Sequence, residues 1–126
     1  MRYNILIITA IIGALTIVLG AFGAHALKNT LTETLFNSFE TAVRYQMYHV
    51  FVLLFVNTTD IISNSFKNKI SYVLLAGIFL FSGSIYTITL AQIPVKSIWF
   101  VTPLGGLCFI IGWILLLLSF VKAKKG

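Results

Sequence analysis

The stretch from Tyr3 to Ala24 carries no charged side chain, and it limits the architectures open to this chain more than any other feature. A run of that kind matches the ~20 residues a helix needs to cross the hydrocarbon core of a bilayer. In that medium a helix satisfies its own backbone polar groups, which an open loop cannot do. Two further uncharged stretches follow, at about Ile70–Ala91 and about Ile98–Val121. A soluble fold offers no alternative: of the 126 residues 59% are hydrophobic and 10% are charged, with a mean hydropathy of +1.00. A small domain leaves much of its surface exposed and has no interior large enough for that load. The fold class expected is all-α, an integral membrane protein in a single domain.

Residues 38–57 are the contested segment. Their apolar part, "VFVLLFV", is too short to span alone, and "FETAVRYQMYH" precedes it. Either 38–57 crosses the bilayer with Glu40, Arg44 and His49 inside, or the segment lies along the surface and leaves three spans. Cations choose between the two. With four spans, Arg2, Lys67, Lys69, Lys122, Lys124 and Lys125 collect on one side, against Lys28 and Lys96 on the other. With three, the Lys-rich tail falls outside, against the positive-inside bias. The expectation is a four-helix bundle in the plasma (inner) membrane. Its spans lie at about 3–24, 38–57, 70–91 and 98–121, and both termini are cytoplasmic. The same placement of cations at segment ends, rather than on one water-facing patch, argues against nucleic acid as a partner for a chain of net charge +6. "AHA" after the first run imitates a signal-peptide cleavage site, but the run is longer than a signal core, so a retained span is expected.

Helices in lipid associate through close packing and hydrogen bonds. Gly13, Gly20 and Gly23 in the first span, Gly77 and Gly83 in the third, and Gly105, Gly106 and Gly112 in the fourth offer surfaces for close approach. Cys108, the single cysteine, reads as a small packed residue. On a helix Glu40 and Arg44 stand one turn apart and can neutralise each other. Asn37, Ser38, Thr41, Tyr45, Tyr48 and His49 follow round the circle, with Gln46 just beyond. Phe39, Val43, Met47, Val50 and Leu54 take the opposite arc. Unpaired polar groups facing lipid cost several kcal/mol, on the order of a lost hydrogen bond or more. The polar arc is therefore expected to face inward, with the two charges shallow, in the first two turns of the span. His25 closes the first span on the same side as Glu40 and Arg44, so the geometry allows a meeting there and disfavours one with His49, more than two turns down.

"LGAFGAHALKNTL", "FETAVRYQMYH", "LFSGSIY" and "VTPLGG" followed by "GW" occur in the order of the domain-of-unknown-function 423 family, which the chain resembles over nearly its whole length. These are small membrane proteins that include transmembrane protein 256. The resemblance implies a four-helix inner-membrane protein with no established activity. It also points to Tyr45, Gln46 and His49, to His25 after "GAFGA", and to Ser82, Gly83, Ser84 and Tyr86. The positions of Glu40 and Arg44 are looser in the family, which makes that pair secondary.

Three functional readings remain. In the first, Tyr45, Gln46, His49, Ser82, Ser84 and Tyr86 form a hydrogen-bond network that holds the bundle or a complex with a membrane-protein partner or further copies, in contact with membrane lipids. In the second, His49 and Glu40 line a polar cavity that binds or moves a small solute, a proton or a lipid headgroup, in an oligomer. In the third, His25 and His49 serve an enzyme or a metal or haem centre. The third is the weakest, because two histidines without cysteines or paired carboxylates are a poor metal set, and no phosphate loop, HExxH or nucleophile elbow is present. No enzyme activity, metal or other cofactor is expected.

Overall fold

The computed structural model describes residues 2–126, and their regular structure is helical throughout. Helix α1 (Arg2–Phe22) runs into a π turn, Gly23–Leu27. Helix α2 (Glu33–Thr58) follows, then α3 (Asn64–Gly77), a second π turn (Ile78–Ser82) and α4 (Gly83–Leu90). A short helix α5 (Val95–Ile98) precedes α6 (Val101–Lys125). Three rods are long and apolar enough to cross a membrane: Arg2–Leu27, Asn64–Leu90 and Val101–Lys125. Helix α2 matches them in length but carries Glu40, Arg44, Gln46 and His49 in its middle.

Local chemistry sets several of the boundaries. Thr32 caps α2, its Oγ1 accepting from Leu35 N at 3.2 Å, so the helix starts five residues before the expected span. Ser63 caps α3 in the same way. The fourth rod begins at Val101, and Val95–Ile98 is a separate turn of helix after Pro94. Ahead of that proline, Gln92 adopts φ 57°, a left-handed conformation that closes the tight link from α4.

Helices adjacent in the chain pack on one another, and α2 also meets α6 at His49, Phe109 and Trp113. Helix α1 packs chiefly on α2, α2 on α3 and α4, and α6 on α3, the second π turn and α4. Helices α1 and α2 are antiparallel neighbours: a Cβ at Gly13 would lie 3.4 Å from Val50, and one at Gly20 3.4 Å from Val43. Gly23 faces the Phe39 ring, which fills the space a side chain there would need. At the other face of the molecule a Cβ on Gly105 would fall 2.7 Å from Phe81 Cα, so α6 approaches the backbone of the second π turn directly. Leu53, Val56, Ile62, Ile70, Leu74, Ile78, Phe109 and Leu116 form the core between α2, α3 and α6.

This packing corrects the expected orientation of α2. Its buried arc holds Phe39, Ala42, Gln46, His49, Val50, Leu53, Val56 and Asn57. Glu40, Arg44, Tyr45 and Tyr48 are exposed, so the polar arc is divided rather than turned inward as a whole. The cause is the glycine side of α1, whose grooves accept Phe39, Val43 and Val50 and so draw that apolar arc inward. The earlier start places Arg44 just over three turns from the N-terminus of α2.

Candidate functional site

Gln46, 4% exposed, is the centre of a directed chain of hydrogen bonds across three helices. The Tyr86 hydroxyl donates to Gln46 Oε1 at 2.7 Å. Gln46 Nε2 donates to Thr16 Oγ1 at 2.7 Å, with a longer contact to the Ile12 carbonyl at 3.4 Å. Thr16 in turn donates to the Ile12 carbonyl at 2.6 Å. Both ends of the Gln46 amide are therefore engaged, one toward α4 and one toward α1.

His49, also 4% exposed, belongs to a second cluster. Its Nδ1 lies 2.6 Å from the Tyr45 carbonyl, and Trp113 Nε1 donates to its Nε2 at 3.2 Å. A carbonyl only accepts and an indole N–H only donates, so the ring carries its proton on Nδ1 and is neutral. The imidazole stacks on Phe109, with centroids 3.7 Å apart and planes 6° apart, and Trp113 meets it edge-on. Both ring nitrogens are occupied by groups of this chain.

The remaining sequence-predicted residues separate. Ser82 is fully buried and donates to the Ala42 carbonyl at 2.8 Å, tying the second π turn to α2. Ser84 turns the other way, toward Thr102 on α6, and donates to the Phe81 carbonyl at 2.9 Å. Tyr45 is partly exposed and contributes its backbone carbonyl, while its ring stacks on Phe81 at 5.1 Å. His25 lies exposed in the first π turn, apart from all of these. Gly20 of α1 and Gly23 and Ala24 of the first π turn stand beside Glu40 and Arg44, and among the described residues no hydrogen bond joins His25 to either. The Arg44 guanidinium donates to Thr41 Oγ1 at 3.2 Å rather than to Glu40.

A third polar cluster lies at the other end of α2. Asn57 Oδ1 accepts from Arg2 Nη1 at 3.0 Å, and Asn57 Nδ2 donates to Ser71 Oγ and the Leu53 carbonyl, both at 2.9 Å. Arg2 Nη2 also donates to the Asn64 carbonyl at 3.2 Å, so α1, α2 and α3 are fastened together. Sequence reasoning missed Thr16, Trp113 and Asn57. Thr16 and Asn57 had a visible signal, as hydrogen-bonding side chains set within or at the end of apolar runs. Among the described residues every buried side-chain nitrogen and oxygen has a partner, and no three His, Cys, Asp or Glu side chains gather as a metal set.

Long apolar rods joined by buried, fully paired polar groups define a small helical membrane protein. Residues 19–106 match the family described as "Protein of unknown function (DUF423)", and the chain belongs to that family. It is 39% identical over 116 residues to a UPF0382 membrane protein of Staphylococcus aureus, covering 89% of this chain and 93% of the relative. It is 38% identical over 121 residues to the UPF0382 membrane protein YwdK of Bacillus subtilis, covering 93% and 95%. It is 37% identical over 121 residues to the UPF0382 inner membrane protein YgdD of Escherichia coli, covering 95% and 91%. No solved structure matches the chain.

Proposed function

We propose that this chain is a non-catalytic scaffold of the inner membrane. All four long helices cross the bilayer, both termini are cytoplasmic, and the buried polar clusters hold the helices in register for association with another membrane component. Support for α2 as a span comes from its antiparallel course beside α1, with Gly13 against Val50 and Gly23 against Phe39. The division of Arg2, Lys67, Lys69, Lys122, Lys124 and Lys125 from Lys28 and Lys96 supports the orientation.

The observation that carries the scaffold reading is the saturation of Gln46 and His49. Interhelical hydrogen bonds in membranes average only about 0.6 kcal/mol, so several must act together to set an arrangement. The alternative, a cavity that binds or moves a solute, proton or lipid headgroup, asks for polar atoms open to a ligand. The amide of Gln46 and both nitrogens of His49 are already bonded within the chain.

Reporter fusions in the Lys28 and Lys96 loops and at the C-terminus test the topology, with the loops expected outside and the C-terminus inside. A Gln46→Leu variant, assayed for folded yield and for the phenotype of a deletion strain, tests the role. Yield and phenotype are expected to fall together. Full yield with a lost phenotype would favour a binding or transport site instead.

A further inference from the structure

One stripe of α2 is turned outward, although at its far end the Phe55 ring lies edge-on to Phe120 of α6. Glu40, Arg44, Tyr48, Phe51 and Phe55 recur at three- and four-residue steps, and each is exposed. Beside it lie Gly20 and Ala21 of α1 and Ala24 of the first π turn. The two helices enclose a cleft of about 110 Å³ lined by Gly20, Gly23, Ala24, Glu40 and Arg44. The cleft continues into an apolar groove past Ile17, Ala21, Met47 and Tyr48.

Depth makes this face unusual. The middle of the uncharged stretch of α1 is near Gly13, which lies against Val50. Arg44 is six residues from Val50 and Glu40 is ten, or about 9 Å and about 15 Å along the axis at 1.5 Å per residue. The hydrocarbon half-thickness is about 15 Å. Glu40 thus sits at the hydrocarbon boundary and Arg44 inside it, with Thr41 Oγ1 as the hydrogen-bond acceptor of its guanidinium. Charged groups at such depth face a protein partner or water rather than lipid.

We propose that this α1–α2 face is where a second copy of the chain docks, about a two-fold axis along the membrane normal. Such an axis keeps each residue at the same depth in both copies. Glu40 then stands four residues, about 6 Å, from the level of the partner's Arg44, which two long side chains bridge. The reciprocal pair forms on the other side of the axis, so a face bearing one carboxylate and one guanidinium is complementary to itself. Gly20, Ala21 and Ala24 allow the backbones to come close. The proposal rests on α2 being a membrane span but not on the roles of Gln46 or His49.

The test uses the full chain in mild detergent and in vesicles of phosphatidylethanolamine and phosphatidylglycerol. Association is followed by light scattering and by energy transfer between labelled copies as protein is diluted in lipid. The wild type is expected to scatter as twice its 14.0 kDa. Glu40→Arg and Arg44→Glu are each expected to raise the dissociation constant about tenfold or more, and the double exchange to restore it to near wild type. Ala21→Trp fills the groove and is expected to give monomers through sterics alone, which keeps the test decisive if a charge reversal loses helicity. A monomeric wild type, including one whose Arg44 holds an anionic lipid, overturns the proposal. So does a dimer indifferent to both reversals and to Ala21→Trp, or a folded double exchange no better than the single variants. The loop reporters separate this failure from failure of the four-span reading.

Discussion

Replacing Gln46 with leucine removes the link that joins α4 to α1 through α2. Two hydrogen bonds of 2.7 Å are lost, together about 1.2 kcal/mol at the membrane average of about 0.6 each. Leucine keeps most of the volume, so the cavity contribution is small. The Tyr86 hydroxyl, half-buried, is left without its acceptor, which adds about 1–3 kcal/mol. The sum is about 2–4 kcal/mol. Equilibrium unfolding in mixed micelles with rising SDS, followed by circular dichroism, measures it. Tyr86→Phe alone is expected to cost about 1 kcal/mol, because Gln46 then keeps an unpaired carbonyl oxygen. Combined with Gln46→Leu it removes both partners, so the double variant should be more stable than the sum of the singles implies. The coupling expected is about 0.6–1.7 kcal/mol. Strict additivity, or a Gln46→Leu effect under about 0.5 kcal/mol, would refute the reasoning.

Two other regions give clean contrasts. Gly105→Ala drives a methyl into the Phe81 backbone, which has no freedom to move aside, and is expected to cost about 2 kcal/mol or more by the same assay. Gly106→Ala meets only Phe81 Cδ2, at 3.9 Å, and is expected to fall within about 0.5 kcal/mol of wild type. Asn57→Leu leaves Arg2 and Ser71 without their shared partner, and a loss of about 1–3 kcal/mol is expected. Arg2→Met in the same background should cost less than it does in the wild type, read from the same unfolding curves.

Much of the fold is legible in the residues, because the medium leaves few choices. Three apolar rods follow from runs without charge, and Thr32 and Ser63 cap the helices where side-chain oxygens precede helical segments. Gln46 and His49 stand out by residue type in a stretch bound for the interior. Their partnerships do not: Thr16 is visible as a lone hydroxyl in an apolar run, but nothing in the residues pairs it with Gln46, or Trp113 with His49. The burial of Phe39 and Val50 is also hidden: polarity alone turns that arc toward lipid, while Gly23 and Gly13 select it by shape. The second π turn has no sequence signature. Ser82 and Ser84, two residues apart, face different sides of their helix, toward Ala42 and Thr102, and so divide a motif that reads as one unit.

The direct test of a closed, ligand-free polar interior is the protonation pattern of His49 in vesicles. Nitrogen NMR of selectively labelled histidine, with His25→Gln removing the other signal, reports which ring nitrogen carries the proton and whether it exchanges with water. The expected spectrum has a protonated Nδ1, a bare Nε2 accepting from Trp113, and no rapid exchange. A proton on Nε2, or rapid exchange with water at either nitrogen, would contradict the scaffold reading and place His49 on a solvent path.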